Sequence, residues 1–302
     1  MTLAVTGATG FVGQAVLDEA GRRGLPLRAL ARREQAPRDG IEWVRGDLAD
    51  HAALARLVEG ADAILHIAGV VNTPEPMGFH LGNVAGTEAL VEAARSAGVH
   101  RFVYVSSLAA REPQLSAYGK SKRDAEDVIE ASGLDWTIVR PPAIYGPRDD
   151  AILELFKVAR WGVVPMPPHG RASMIHAEDL ARLLLALTPG WPGVLRRTFE
   201  PDDGRPGGWS HAELAQAIGQ AVGRSVWAPA VPAGLMRAGA TLDRLLRGAR
   251  AKLTADRVGY MVHPDWVSRP DMTPPPELWR SEIATPEGLK ATARWYREHR
   301  WL

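Results

Sequence analysis

Short apolar runs alternate with stretches of helical periodicity through the first half of the chain. The runs at 3–6, 27–31, 42–44, 63–67, 101–106 and 136–140 have strand length and lie between polar, glycine-containing segments. Between them, apolar positions recur every three or four residues at about 11–23, 51–59, 83–97 and 116–131, which predicts amphipathic helices. This alternation predicts an α/β fold with a parallel sheet covered on both faces, the doubly wound arrangement. The run at 63–67 is apolar on both faces, as a strand buried inside such a sheet must be.

After Pro141 the pattern shortens. Prolines and glycines cluster at 141–147, 165–170, 189–193 and 201–208 and break the second half into small elements. Ser210 followed by Glu213 is a capping-box signal for a helix over about 211–222. Thr285 and Pro286 read as N-cap and first residue of a final helix reaching about His299. Four prolines in 269–276 predict an extended connector. The expected division is a dinucleotide-binding domain over 1–165 and a smaller C-terminal lobe, mainly substrate-binding, over 166–302. A strand at about 197–200 is a candidate to return to the main sheet.

Composition narrows the class. The 302 residues are 46% hydrophobic and 24% charged, enough for one large α/β core plus an attached lobe. A formal charge of +1 gives no reason to expect nucleic acid as a partner. The absence of cysteine excludes disulfides, thiolate catalysis and cysteine metal sites, and the nine histidines lack metal-ligand spacing, so no metal is expected. Met1 leads straight into Thr2–Val5 without a leader pattern, and no apolar run approaches the ~18–20 residues that span a bilayer. A cytoplasmic enzyme acting on a small molecule is the expectation.

The chemistry begins at Thr6-Gly7-Ala8-Thr9-Gly10-Phe11-Val12-Gly13, directly after the first strand and opening the first helix. Glycines there allow a sharp turn and let backbone N–H groups approach a pyrophosphate. The helix start adds unpaired donors and partial positive charge. Gly7, Thr9, Gly10, Phe11, Val12 and Gly13 are therefore candidate cofactor contacts. A carboxylate at the end of the second strand would hold a ribose 2′-hydroxyl, but this chain has Leu30-Ala31-Arg32-Arg33. Arg32 can pair with a 2′-phosphate, which favours NADP(H) over NAD(H).

Tyr118 and Lys122 are four residues apart, on one face if the segment is helical. A phenol with a pKa of about 10 is a poor acid–base at neutral pH, and a neighbouring ammonium favours its phenolate. By itself this spacing describes an ordinary solvated helix face. Ser106 and Ser107 end the strand at 101–106, eleven residues before Tyr118 in the case of Ser107. In a parallel sheet that strand end opens into the crevice the glycine turn faces, where a serine hydroxyl can polarise a substrate oxygen. Either serine of the pair could do so.

Seven ordered motifs resemble the extended short-chain dehydrogenase/reductase superfamily, the NAD(P)-dependent epimerases, dehydratases and 3β-hydroxysteroid-dehydrogenase-like reductases. Besides Thr6–Gly13, Gly46-Asp47-Leu48 is similar to its adenine-contacting element, and His66-Ile67-Ala68-Gly69 to the strand that passes the cofactor. Asn83-Val84-Ala85-Gly86-Thr87 resembles its N-x-x-G-T helix, and Arg140-Pro141-Pro142-Ala143-Ile144-Tyr145-Gly146-Pro147 its nicotinamide loop. His176–Ala181 and the ending through Trp295-Tyr296-Arg297 are similar to later family elements. The resemblance implies a Rossmann sheet, with Ser107, Tyr118 and Lys122 as catalytic residues. It implies Asp47, Leu48, Ala68, Gly69, Tyr118, Lys122, Pro141 and Ile144 as further cofactor contacts, and a homodimer through the Asn83 and Tyr118 helices. His66 and Asn83 read equally well as packing residues.

Three functions follow from the resemblance. The first is an NAD(P)-dependent oxidoreductase moving hydride between nicotinamide and a carbonyl or secondary alcohol. The others are a nucleotide-sugar epimerase or dehydratase, and an NADPH-binding sensor or assembly subunit without turnover. Only ten residues, 108–117, separate Ser107 from Tyr118, shorter than in the sugar-nucleotide members, which favours the first. Intact Ser107, Tyr118 and Lys122 argue against the third. The helix-like segment 232–253 interleaves Leu235, Met236, Leu242, Leu245 and Leu246 with Arg237, Arg244, Arg247, Arg250 and Lys252. That pattern describes a core stripe with a basic face, and also a helix for peripheral membrane contact or a lipophilic substrate. His263 and Asp265, before Trp266, read as a turn.

Overall fold

The structure is a computed structural model. It describes residues 2–248 and 251–302, so Met1 and Arg250 of the readings above lie outside the described residues. The chain divides into two compact units. One runs to Arg140 and adds Leu180–Phe199 and Pro274–Trp279; the other holds Pro141–Asp179, Glu200–Thr273 and Arg280–Leu302.

The first unit alternates strands and helices as the pattern requires: β1 (Leu3–Thr6), α1 (Phe11–Arg22), β2 (Leu27–Ala31), β3 (Ile41–Arg45), α2 (His51–Val58) and β4 (Ala63–His66). There follow α3 (Pro76–Phe79), α4 (Gly86–Ser96), β5 (Arg101–Val105), α5 (Ala117–Glu130) and β6 (Asp135–Val139). Together with the strand Arg197–Phe199 they form a seven-stranded parallel sheet, ordered Arg197–Phe199, β6, β5, β4, β1, β2, β3. Every residue of β1, β4 and β5 is buried, which is why these runs carry apolar residues on both faces. Leu54, Leu57, Leu90, Phe102 and Ile129 fill the layer between sheet and helices. Each such side chain contributes roughly 1.5–3 kcal/mol by leaving water.

Strand order reverses between β1 and β4, so the loops leaving them part and open a crevice at the carboxyl ends. The register aligns Thr6 with His66, and His66 with Tyr104, across that end of the sheet.

The helix expected over 83–97 is built differently. Residues Pro76–Phe79 form a short turn, His80–Ala85 a π-helical turn, and only Gly86–Ser96 a regular helix. The wide turn buries Asn83, whose side chain engages both backbone groups of Val70.

In the second unit the capping box at Ser210 and Glu213 is present, starting the helix His211–Val222. That helix packs through Leu214, Ala215 and Ile218 with Phe156, Leu289, Ala293 and Tyr296. Three expectations need correction. The final helix is Thr285–Glu298, so Thr285 is its first residue and Ala284 its cap; the Thr285 hydroxyl bonds Asp203 Oδ2 instead. Pro270–Met272 makes one 3₁₀ turn rather than extended chain, because proline's fixed φ suits a first helical position. Asp265–Trp266 is a strand paired with Arg171–Ala172, more than a turn.

Candidate active site

Gly7 stands at φ +75°, and a Cβ there would lie 2.5 Å from the Ala68 nitrogen. At Gly13 a Cβ would lie 2.1 Å from the Gly7 carbonyl oxygen. The turn thus closes only with glycine at both positions. Gly10 caps α1 without any side-chain bond to the helix start, so the leading N–H groups carry no side-chain cap. Thr9 and Gly10 are exposed there, with Phe11 and Val12 half-buried behind them. This cradle fits a pyrophosphate.

Beyond Ala68, a Cβ at Gly69 would fall 3.1 Å from Asn83 Oδ1 and 3.3 Å from Lys122 Nζ. The glycine turn, the end of β4 and the lysine of α5 therefore border one space within one unit. Lys122 is buried and donates to Tyr104 OH at 3.1 Å and to the Val105 carbonyl at 2.8 Å. Its ammonium lies 4.6 Å from the Tyr104 ring centroid. Burial brings its pKa down to about 8, against the raising influence of Glu126.

Tyr118 begins the first turn of α5, half-buried, with its ring centroid 5.9 Å from that of Phe79. Ser116 caps this helix by accepting from Gly119 N at 2.9 Å. A Cβ at Gly119 would lie 2.6 Å from the Ala109 carbonyl, so glycine lets α5 press against the turn that follows Ser107. Ser121 donates to the Tyr118 carbonyl and accepts from Asn83 Nδ2, tying that turn to the Asn83 element.

The two serines differ in their surroundings. Ser106 is buried and donates to Glu126 Oε1 at 2.5 Å. Glu126, fully buried, also accepts two bonds from Arg140, at 2.8 and 2.6 Å. Ser107 is half-buried, in extended backbone, and its Oγ accepts from Ala109 N at 3.2 Å.

His66 is packed between hydroxyls, with Thr6 Oγ1 2.6 Å from Nδ1 and Thr87 Oγ1 3.0 Å from Nε2. The Thr87 proton goes to the Asn83 carbonyl, which assigns the ring proton to Nε2 and leaves Nδ1 to accept from Thr6. Burial, more than the nearby Lys122 charge, pulls the His66 pKa down to about 3. His66 and Asn83 are thus satisfied residues that hold the cluster in place.

Other candidates lie apart from this cluster. Arg32 is exposed just past the end of β2, Asp47 is exposed after β3, and a Cβ at Gly86 would meet Leu48 Cδ1 at 2.7 Å. Pro141 and Ile144 belong to the second unit, where Ile144 pairs with Ile175. Glu126, Arg140 and Tyr104 were not singled out from the sequence. The signal for Glu126 was available: it lies four residues beyond Lys122 on a helix face that also carries Ala125 and Ile129.

The family model described as NAD(P)H-binding matches residues 7–188. The chain belongs to this NAD(P)H-binding family. It is 37% identical to the ceramide reductase of Caulobacter vibrioides, over 99% of this chain and 96% of that relative. It is 29% identical to the 2-alkyl-3-oxoalkanoate reductase of Stenotrophomonas maltophilia, over 89% and 91%. Among solved structures, the dTDP-glucose 4,6-dehydratase of Streptomyces venezuelae with NAD bound superposes at TM-score 0.74, with 22% identity, over 100% of this chain and 98% of that one. The fold is accordingly that of the extended short-chain dehydrogenases/reductases. This NAD(P)H-binding protein is an NAD(P)-dependent oxidoreductase. Among its described residues no cluster of potential metal ligands occurs, and no helix is long and apolar enough to cross a membrane.

Proposed function

We propose that this oxidoreductase uses NADPH to reduce a keto group on a long-chain substrate, of the kind named in its ceramide and 2-alkyl-3-oxoalkanoate reductase relatives. The observation that carries the reading is the buried Lys122 ammonium, one turn beyond Tyr118 and beside Gly69. When bound, the reduced nicotinamide supplies a hydride to the carbonyl carbon. Tyr118 gives its phenolic proton to the oxygen as charge builds there, and Lys122 makes that proton easier to release. Ser107 donates a hydrogen bond to the same oxygen; Ser106, committed to Glu126, is left to hold the strand end.

In this reading the pyrophosphate rests on Gly7, Thr9, Gly10, Phe11, Val12 and Gly13. Asp47 and Leu48 border the adenine, Ala68 and Gly69 the nicotinamide ribose, and Pro141 and Ile144 the nicotinamide. Lys122 also holds the ribose, and Arg32 the 2′-phosphate, since the first carboxylate after β2 is Glu34, beyond two arginines. Residues 1–165 carry the dinucleotide, and 166–302 mainly select the substrate. The test is stoichiometric consumption of NADPH with a long-chain α-acylamino ketone or a 2-alkyl-3-oxoalkanoate, compared with a nucleotide sugar. Tyr118→Phe is expected to lower kcat by about 10²–10⁴-fold with NADPH affinity unchanged. Full turnover in that variant, or sugar conversion without net NADPH loss, overturns the proposal.

A further inference from the structure

The helix Ala233–Arg247 has two apolar faces, and the fold uses one. Its inner residues Met236 and Ala240 are buried against Val258, with Val231, Leu253, Met261 and Val262 around them. On the other side Leu235, Leu242, Leu245 and Leu246 are 65%, 56%, 78% and 76% exposed. Their spacing of seven, three and one residues, with Ala238 and Gly239 between, places them on one helical stripe. A contiguous row of four exposed leucines is not an ordinary scatter of surface apolar residues.

Charge is disposed with the same bias. Arg237, Arg244 and Arg247 are exposed on this helix, and Asp243 is its one acid. Asp243 is engaged: its carboxylate pairs with Arg247 at 3.2 Å and accepts the backbone N–H groups of Lys252 and Leu253. Lys252 in turn is held by Glu154 at 2.8 Å. Among the described residues, Arg237 and Arg244 have no acidic partner. In helical projection these two arginines stand between the buried face and the leucine row. The extended segment entering the helix carries Trp227, 70% exposed and bridged to Val163, near the 85% exposed Trp161. Exposed indoles suit the boundary between headgroups and acyl chains.

We propose that the helix Ala233–Arg247 docks on the surface of a lipid bilayer containing anionic headgroups. The leucine row enters the acyl boundary, and Arg237 and Arg244 lie among the phosphates. The occupant is a membrane rather than a second protein chain because the apolar row is flanked by unpaired cations of one sign, which would repel across a two-fold contact between copies of this helix. The docking goes beyond the proposed reaction and stands on the helix alone, although a membrane-resident substrate would give it a use.

The test is flotation of the purified protein with vesicles of phosphatidylcholine containing phosphatidylglycerol, against vesicles of phosphatidylcholine alone. Binding is expected to be about tenfold stronger to the anionic vesicles and to weaken as salt rises. Leu245→Glu with Leu246→Glu should lower the bound fraction at least about tenfold. Arg237→Glu with Arg244→Glu should abolish the preference for anionic lipid. Both variants should keep the wild-type unfolding midpoint and turnover of a short water-soluble ketone, since none of the four side chains belongs to the buried cluster or the candidate active site. Absence of wild-type flotation, or flotation indifferent to the leucine variant, overturns the proposal. So does a leucine variant that turns a dimer into a monomer while neither protein floats. A protein that floats yet reduces no long-chain ketone refutes the proposed reaction and leaves the docking standing.

Discussion

Ser106 gives its hydroxyl proton to the carboxylate of Glu126, 2.5 Å away and wholly buried. The hydroxyl oxygen of neighbouring Ser107, in extended backbone, accepts the Ala109 N–H instead. Two adjacent, chemically identical residues thus have different surroundings, and the different roles proposed for them are measurable. Ser107→Ala is expected to lower kcat by about 10²-fold with little effect on stability. Ser106→Ala should cost about 1.5–3 kcal/mol in urea unfolding, the worth of a bond to a charged group, and leave kcat within a few-fold. The reverse pattern would assign the oxygen-polarising role to Ser106.

Removing the acid of that cluster is harsher. Glu126→Ala leaves the buried Arg140 guanidinium without its bidentate partner, and truncating one member of a buried pair costs roughly 3–5 kcal/mol. Unfolding in urea checks this. A loss below about 1 kcal/mol would mean that water reaches Arg140.

Lys122 supplies a pH signature. Its folded pKa of about 8 lies below the 10.5 of an ordinary lysine, so between these values the unfolded chain binds more protons than the folded one. Stability of the cofactor-free protein should therefore rise with pH through that window, by on the order of 3 kcal/mol in total. Lys122→Met should remove this rise, which the difference between the two proteins' urea midpoints at pH 7.5 and 10 would reveal (both pH values being about the window's limits). Parallel pH dependences would place the ammonium in water.

The contacts proposed for the glycine turn and for Arg32 are expected to separate affinity from preference. Gly13→Ala must displace the Gly7 carbonyl or the backbone at Ala8, and is expected to weaken both NADPH and NADH by at least about tenfold. Arg32→Ala should weaken NADPH by about 10–100-fold while leaving NADH unchanged. Titration of nucleotide fluorescence measures both. Equal losses for the two nucleotides at Arg32 would remove the 2′-phosphate contact.

The main sheet was legible because each of its strands is a short run closed by polar or glycine positions, and burial on both faces leaves no room for ambiguity in Ala63–His66 or Arg101–Val105. The glycine turn was legible for a related reason: sterics at Gly7 and Gly13 admit no other residue. The π-helical turn at His80–Ala85 was not, since it depends on Asn83 reaching Val70, a tertiary contact that leaves no trace in periodicity. The spacing of Glu126 with Ala125 and Ile129 put it on the inner helix face, but its partner was not legible, for the same reason. On a helix read for amphipathicity, a carboxylate counts as solvent-facing unless its partner, here Arg140 at the end of another element, is already known to face it.

The burial of Lys122 has a thermodynamic consequence for ligand recognition. Folding, rather than binding, strips the hydration shell from this cation and fits it with two neutral oxygen dipoles. In the proposed function, a ribose hydroxyl accepting from Lys122 would meet a charge whose direction is already fixed. The strength of that proposed contact follows how tightly β5 and α5 are packed, so substitutions in that seam that touch no ligand are expected to retune it.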